Sequence, residues 1–388
     1  MDLTTSRRTV FAAVCAVAVA SIYAAQPVLA EIGGDLGVPA AGLGWIVAAG
    51  QLGYLAGLAV LVPLGDLVDR RKLIAGHLLL TAVGATLAAA ATQTWLLLTG
   101  LVLAGLFAVV VQTTVAYAAA LSTSDERGRT LGVVTSGVVI GILGARVAAG
   151  ALAELWGWRS VYVALAVLLV TLAGLVLKTM PPDPRRDGTT YRQVLTSLGG
   201  LFREPLFLSR GLIAFFLFAS FGALWSGLSL PLAADPWDLS TAQIGLFGLV
   251  GLAGALGAAR AGRWADRGRA SLVTGGALVL LAVSWLAVGQ PSLWLLGLGV
   301  LVLDFAVQAV HVSNQHLLTA AHPDRTSSVI GGYMIFYSLG SALGAATTTT
   351  AFAAAGWTGS SVLGAVFGGC AFAVWAVANA RRLSLRTS

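Results

Sequence analysis

Charge is what this chain has least of: 10% of its 388 residues are charged, lysine occurs twice against twenty-one arginines, and there are two cysteines and four histidines. So few charges cannot solvate a soluble domain that is 57% hydrophobic, and a mean hydropathy of +0.88 puts the chain in a bilayer. Cys15 and Cys370 lie inside the first and last apolar runs, which excludes a disulfide framework and a thiolate metal site. They read as small apolar fillers. His311 and His316 are five apart and do not share a helix face, which argues against a paired metal site. The sequence has no phosphate-cradling loop, nucleophile elbow or metal-ligand cluster, so neither an enzyme nor a cofactor is expected.

What the chain does have is apolar length. Runs of about twenty residues fall at roughly 9–30, 41–64, 73–92, 95–121, 130–153, 158–178, 206–232, 241–260, 271–289, 292–319, 327–354 and 358–379. Arg7-Arg8, the first run and Val28-Leu29-Ala30 resemble a signal peptide, but the run is long for one and eleven more follow. It reads as the first transmembrane helix. The net charge of +7 is explained by where the bases sit. Arg7, Arg8, Arg70, Arg71, Lys72, Arg127, Arg129, Lys178, the arginines of 185–210 and 260–269, Arg325, Arg381, Arg382 and Arg386 fall on one side. The opposite loops carry Glu31, Asp35, Glu154, Asp235 and Asp238, with Arg159 the one base among them. The positive-inside rule then puts both termini and the linker at 181–205 in the cytoplasm. Orientation accounts for the excess charge, and nucleic acid is not an expected partner. Few lysines against many arginines point to a GC-rich bacterial genome, and so to the bacterial cytoplasmic (inner) membrane.

The charged knot Pro63-Leu-Gly-Asp-Leu-Val-Asp-Arg-Arg-Lys72 is echoed by Gly262-Arg-Trp-Ala-Asp-Arg-Gly-Arg269. Gly262 follows Gly65 by 197 positions, close to half the chain, and each glycine precedes an Asp-Arg pair by four: Asp69-Arg70 and Asp266-Arg267. Two homologous halves follow, the internal symmetry of many transporters. Gly65, Leu67, Asp69, Arg70, Arg71 and Lys72 resemble the loop after the second helix in the major facilitator superfamily, shortened by the family's usual x-Gly before the final bases. The resemblance implies an all-α membrane protein of twelve transmembrane helices in two six-helix pseudo-symmetric halves. The halves are 1–180 and 206–388, joined by the linker, and the chain is expected to work as a monomer.

Along the runs, polar groups mark the candidate substrate path, since lipid offers them no partner. The first two runs carry Ser21, Tyr23, Gln26, Gln51 and Tyr54; these line a cavity or hydrogen-bond between helices. Glycines at spacings of three or four (Gly53/Gly57, Gly137/Gly141, Gly245 to Gly257, Gly340/Gly344) let backbones approach closely. By the resemblance they seam the halves for rocking; static packing is the alternative. The fourth run has Gln112. It has Leu101 where many proton-driven drug exporters of the family place an arginine. The fifth holds Gly141-Ile-Leu-Gly-Ala-Arg146-Val-Ala-Ala-Gly150, similar to the family's antiporter motif. A charge that deep requires a partner or a wet cavity. The seventh presents Phe215, Phe218, Phe221 and Trp225, with Ser226 and Ser229 close by. In the tenth, Asp304, Gln308, His311 and Gln315 recur at i, i+4, i+7 and i+11, all within about 40° of Asp304, with Asn314 just beside. Gln308 follows Gln112 by 196 positions, and Tyr333 and Tyr337 lie one turn apart in the eleventh.

Together these imply a secondary active transporter: proton-coupled efflux of a small apolar or amphipathic molecule by alternating access. An importer or uniporter of the same fold is the alternative, and a transport-inactive receptor or scaffold the alternative of another class. Asp304 is the expected proton carrier, because desolvation favours the neutral form of a carboxylate. His311, which titrates near neutrality in water, is the second candidate. Arg146 is expected to pair with Asp304 in one state and to release it in another. Gly65, Asp69 and Arg70, with Gly262, Asp266 and Arg267, are the expected conformational latch.

Overall fold

The computed structural model describes residues 4–183, 199–257, 270–322 and 326–387. The described residues are helical, with no strand among them, as intramembrane backbone requires when no water is present to satisfy it. The helices are α1 (Thr5–Tyr23), α2 (Leu29–Leu36), α3 (Gly44–Val60), α4 (Arg70–Ala89), α5 (Thr94–Phe107), α6 (Val110–Ala120), α7 (Ser124–Trp156) and α8 (Arg159–Thr179). Then follow α9 (Pro205–Gly227), α10 (Ser229–Leu232), α11 (Thr241–Gly257), α12 (Ala270–Val288), α13 (Leu293–Ala321) and α14 (Thr326–Thr387). Among the described residues ten helical segments are long and apolar enough to cross a bilayer, and Thr241–Leu256 is a shorter apolar one. α14 holds the last two predicted runs, divided where Ala355 (φ −142°) and Gly356 (φ 60°) leave helical geometry. Among the described residues each of the twelve runs therefore falls largely on helix.

Two prolines shape the ends of α1 and α9. Proline inside a helix lacks the N–H and clashes with the carbonyl four residues earlier. For Pro27 that residue is Tyr23, where α1 stops before the 3-10 turn Gln26–Val28. For Pro231 it is Gly227, the last residue of α9.

The chain forms two compact units. Unit one comprises Met1–Val38, Ala49–Leu195 and Asp238–Gly248; unit two comprises Pro39–Ala48, Thr196–Trp237 and Leu249–Ser388. In unit one α1 packs along α7, and α4 between α5 and α8. In unit two α9 packs along α14, and α12 between α13 and α14.

Most of the glycine stripes turn out to serve packing between neighbouring helices of one unit. A Cβ on Gly53 or Gly57 would stand 2.2 or 2.1 Å from the carbonyl oxygens of Val102 and Leu106 on α5. On Gly137 or Gly141 it would meet those of Ala12 and Ala16 on α1, at 2.2 and 2.4 Å. On Gly340 or Gly344 it would meet those of Phe215 and Ala219 on α9, both at 2.1 Å. These pairs are close-approach points between neighbouring helices of one unit. Gly245 and Gly248 lie instead on the carbonyls of Arg146 and Leu143 of α7, inside unit one.

Candidate functional site

In unit one the site grows from the Pro27 break. Ending α1 at Tyr23 sets Gln26 in the 3-10 turn, and Arg146 Nε on α7 donates to Gln26 Oε1 at 3.0 Å. Its Nη1 donates to the Ile142 carbonyl at 3.2 Å, and the guanidinium carbon stands 5.6 Å from the centroid of the Tyr23 ring. Arg146 is 1% exposed, so these contacts offset a charge that costs roughly 2.5–3.5 kcal/mol at mid-membrane depth. Further along, α5 and α6 part at Ala108–Val109, and Gln112 Nε2 on α6 donates to the Tyr54 hydroxyl on α3 at 3.1 Å. Gln51, one turn before Tyr54, is buried.

The loop before α4 is tightly organised. Asp69 is the N-cap of α4, its Oδ1 accepting from the Arg71 amide at 2.9 Å and from the Asp183 amide at 3.4 Å. Arg70 Nε donates to the Gly65 carbonyl at 2.8 Å, and its Nη1 lies 3.6 Å from Asp183 Oδ2. A carboxylate at a helix N-terminus satisfies otherwise orphaned amides and the macrodipole together. The echo residues Gly262, Asp266 and Arg267 lie outside the described residues, as do 184–198 of the linker.

In unit two Asp304 is 2% exposed and its Oδ1 accepts from Trp225 Nε1 at 3.3 Å. Gly251 of α11 makes this possible: a Cβ there would fall 2.3 Å from Asp304 Oδ2 and 2.8 Å from the Trp225 ring. From Trp225 the rings continue through Phe221 (centroids 6.4 Å), Phe218 (5.9 Å) and Tyr337 (4.0 Å from Phe218). The His311 ring stands edge-on to Phe218 at 5.2 Å. Gln315 Nε2 lies 3.2 Å from His311 Nε2, and an amide nitrogen only donates. His311 Nδ1 lies 3.1 Å from the Tyr333 hydroxyl, so both ring nitrogens are engaged. Asn314, fully buried, accepts from Arg210 Nη1 at 3.4 Å, and Gln308 is half-buried one turn after Asp304.

The structure thus joins Arg146 with Gln26, Tyr54 with Gln112, Asp304 with Trp225, and His311 with Gln315, Tyr333 and Tyr337. Arg146 donates to Gln26 in unit one and Asp304 accepts from Trp225 in unit two. Arg210 was missed. Counted among the orienting bases, it is instead 2% exposed, more than a turn inside α9. Its position after Pro205, with apolar residues on both sides, was the available signal. Gly251, which leaves room for Asp304 and Trp225, had no signal beyond its place in a glycine-rich helix.

Long apolar helices, charges buried at depth and polar clusters on otherwise apolar helices define a multi-pass membrane transporter rather than an enzyme or a soluble binding module. The sequence profile of the Major Facilitator Superfamily matches residues 10–345, and the chain belongs to that family. It is 41% identical over 361 residues to the uncharacterized transporter YgaY of Escherichia coli O157:H7, covering 92% of each chain. It is 30% identical over 287 residues to the chloramphenicol resistance protein of Streptomyces lividans, covering 72% of this chain and 71% of that one. In fold it is similar to a bacterial homologue of the human lysosomal transporter Spinster, crystallised in an inward-facing, occupied conformation. There the TM-score is 0.82 at 17% identity, over 97% of this chain and 96% of that one.

Proposed function

We propose that the protein is a proton-coupled exporter of small apolar or amphipathic molecules, working as a monomer in a bacterial inner membrane with both termini cytoplasmic. The observation that carries this reading is Asp304: a buried carboxylate on a wall of aromatic rings, hydrogen-bonded to Trp225 and given room by Gly251. A carboxyl group in such a place alternates between a charged and a neutral form as it takes up and releases a proton, and the rings beside it receive an apolar body. Arg146, Gln26, Tyr54 and Gln112 supply the polar side of the path in unit one, and Gln308, Asn314 and Gln315 in unit two. The name of the Streptomyces lividans relative supports export and makes chloramphenicol the first substrate to try.

The loop of Gly65, Asp69 and Arg70 is the conformational clasp, a reading supported by the Asp69 cap on α4 and the Arg70 contacts with Gly65 and Asp183. Gly262, Asp266 and Arg267 take the same part in the second half. The test is reconstitution in vesicles with an imposed pH gradient. Wild type should accumulate a substrate against its concentration gradient and Asp304→Asn should not. Uphill, gradient-driven transport by Asp304→Asn would remove Asp304 from the coupling.

A further inference from the structure

Arg159, the one base among the acidic loops, is held from three sides within unit one. Its Nη1 donates to Asp35 Oδ2 at 2.7 Å, its Nη2 donates to the Ala91 carbonyl at 2.7 Å, and its guanidinium carbon stands 4.3 Å from the centroid of the Trp158 ring. The same carboxylate oxygen of Asp35 accepts from Trp158 Nε1 at 3.2 Å, and Glu31 Oε1, one turn earlier on α2, accepts from the Trp158 amide at 2.9 Å. Trp158 is the buried N-cap of α8, and Gly157 before it turns the chain at φ 76°, a region that favours glycine. α2 therefore grips the turn between α7 and α8, its Glu31 doing for the N-cap amide what a capping box does within one helix. Asp35 and Arg159 are 43% and 37% exposed, and an exposed ion pair adds little to stability. The effect of the network lies in where it puts α2.

What α2 places is Gln26. Pro27 ends the helical continuity of α1, so α1 alone does not fix the side chain beyond it. Gln26 sits instead in the 3-10 turn that leads directly into α2. With eight residues α2 is too short to be stable alone, and it keeps its place by burying Leu29, Ile32 and Gly33 and by the contacts of Glu31 and Asp35. The two stretches of chain thus meet twice. Gln26 lies on Arg146 at 3.0 Å, and along the roughly 12 Å of α2 Glu31 and Asp35 lie on Trp158 and Arg159. We propose that Asp35 and Arg159, with Glu31 and Trp158, are positioning residues for transport, clamping α2 so that Gln26 is held on Arg146. This rests on the reading above that Gln26 and Arg146 belong to the substrate path.

The experiment uses the full-length protein in detergent, carrying Cys370→Ala and Ala25→Cys, a buried position beside Gln26, with N-ethylmaleimide as the probe and mass spectrometry as the readout. Asp35→Ala and Arg159→Ala should each raise the labelling rate at position 25 about threefold, the effect of an exposed ion pair on a local opening, and the two together no further. Native Cys15, fully buried on α1, should stay as unreactive as before. An unchanged rate at position 25 in both variants overturns the proposal. So does Cys15 opening in step with it, because the network would then brace the whole bundle and not Gln26. If one variant is not monodisperse, the other decides. The labelling result holds whichever solute is moved. In vesicles with an imposed pH gradient and chloramphenicol as the solute, Gln26→Ala and Asp35→Ala should each slow transport, and the pair no more than Gln26→Ala alone, since Asp35 acts through Gln26. A further loss in the pair overturns the positioning role. If labelling rises as expected while Gln26→Ala transports at the wild-type rate, the clamp stands and the reading of Gln26 as part of the path fails.

Discussion

Replacing Gly251 with alanine adds one methyl group at the point where α11 touches the acid and the indole. The new Cβ would stand 2.3 Å from Asp304 Oδ2, 3.3 Å from Asp304 Cγ and 2.8 Å from the Trp225 ring. Unbonded heavy atoms settle at about 3.5–4.0 Å for carbon pairs, so something must move by about 1 Å. α11 has little room to retreat, because a Cβ on Gly254, one turn on, would already lie 2.3 Å from the Leu301 carbonyl of α13, marking backbones in close contact. The carboxylate is the part that can yield, and swinging away costs the Trp225 Nε1–H bond. Overpacking of this kind costs about 1–3 kcal/mol, and loss of a hydrogen bond to a charged group about 1.5–3 kcal/mol. A combined loss of about 2.5–6 kcal/mol is expected, less the roughly 0.8–1 kcal/mol regained from alanine's better helix propensity. Thermal unfolding in detergent and gradient-driven transport in vesicles read the two consequences separately. Gly297→Ala on α13, where an added Cβ meets nothing within 4 Å, is the control and should be neutral or mildly stabilising. Repeating Gly251→Ala in an Asp304→Ala background should recover part of the cost, because the nearer of the two obstacles is gone. Wild-type stability and transport in Gly251→Ala, or an identical cost in both backgrounds, would refute the reasoning.

Other consequences are as direct. Pro27→Ala should let α1 run on past Tyr23, carry Gln26 away from Arg146 and lower transport more than it lowers the unfolding temperature; the reverse pattern would count against the proline break as a positioning device. Gly340→Ala, with its Cβ 2.1 Å from the Phe215 carbonyl, should cost stability, measured as loss of monodisperse protein on heating; a variant that folds normally but transports poorly would restore the rocking-seam interpretation. Asp69→Asn keeps a capping oxygen while removing the charge, so yield should hold and transport should fall; unchanged transport ends the clasp proposal. Transport losses of Arg146→Ala and Asp304→Ala are expected to be non-additive by more than about 0.5 kcal/mol, and simple additivity would sever their coupling.

Much of the architecture was legible because bilayer thickness imposes a length and lipid forbids unpaired polar groups; twelve apolar runs had few other ways to fold. The Asp304–Gln308–His311–Gln315 stripe was legible too, since helical periodicity alone puts those side chains on one face. Partners were not. Nothing in the spacing of residues 26 and 146 says that a glutamine freed by a proline break will meet an arginine on α7. Glycine stripes show where backbones can touch and are silent about which neighbour does the touching. Gly53 and Gly137 found nearby helices of their own unit. Arg210 escaped because a basic residue near a helix start reads as an orienting charge, and only three-dimensional packing shows it buried beside Asn314.

Main chain pressed on main chain at Gly53, Gly57, Gly137, Gly141, Gly340 and Gly344 has a bearing on how such a protein changes over time. Contacts of a glycine Cα with a carbonyl oxygen depend on backbone geometry and on the absence of one side chain. They ask nothing of the residues on the opposite faces of the same helices. A bundle fastened this way can exchange the groups that meet its cargo without reopening the question of how it holds together. The scaffold leaves selectivity free to drift while its framework stays put.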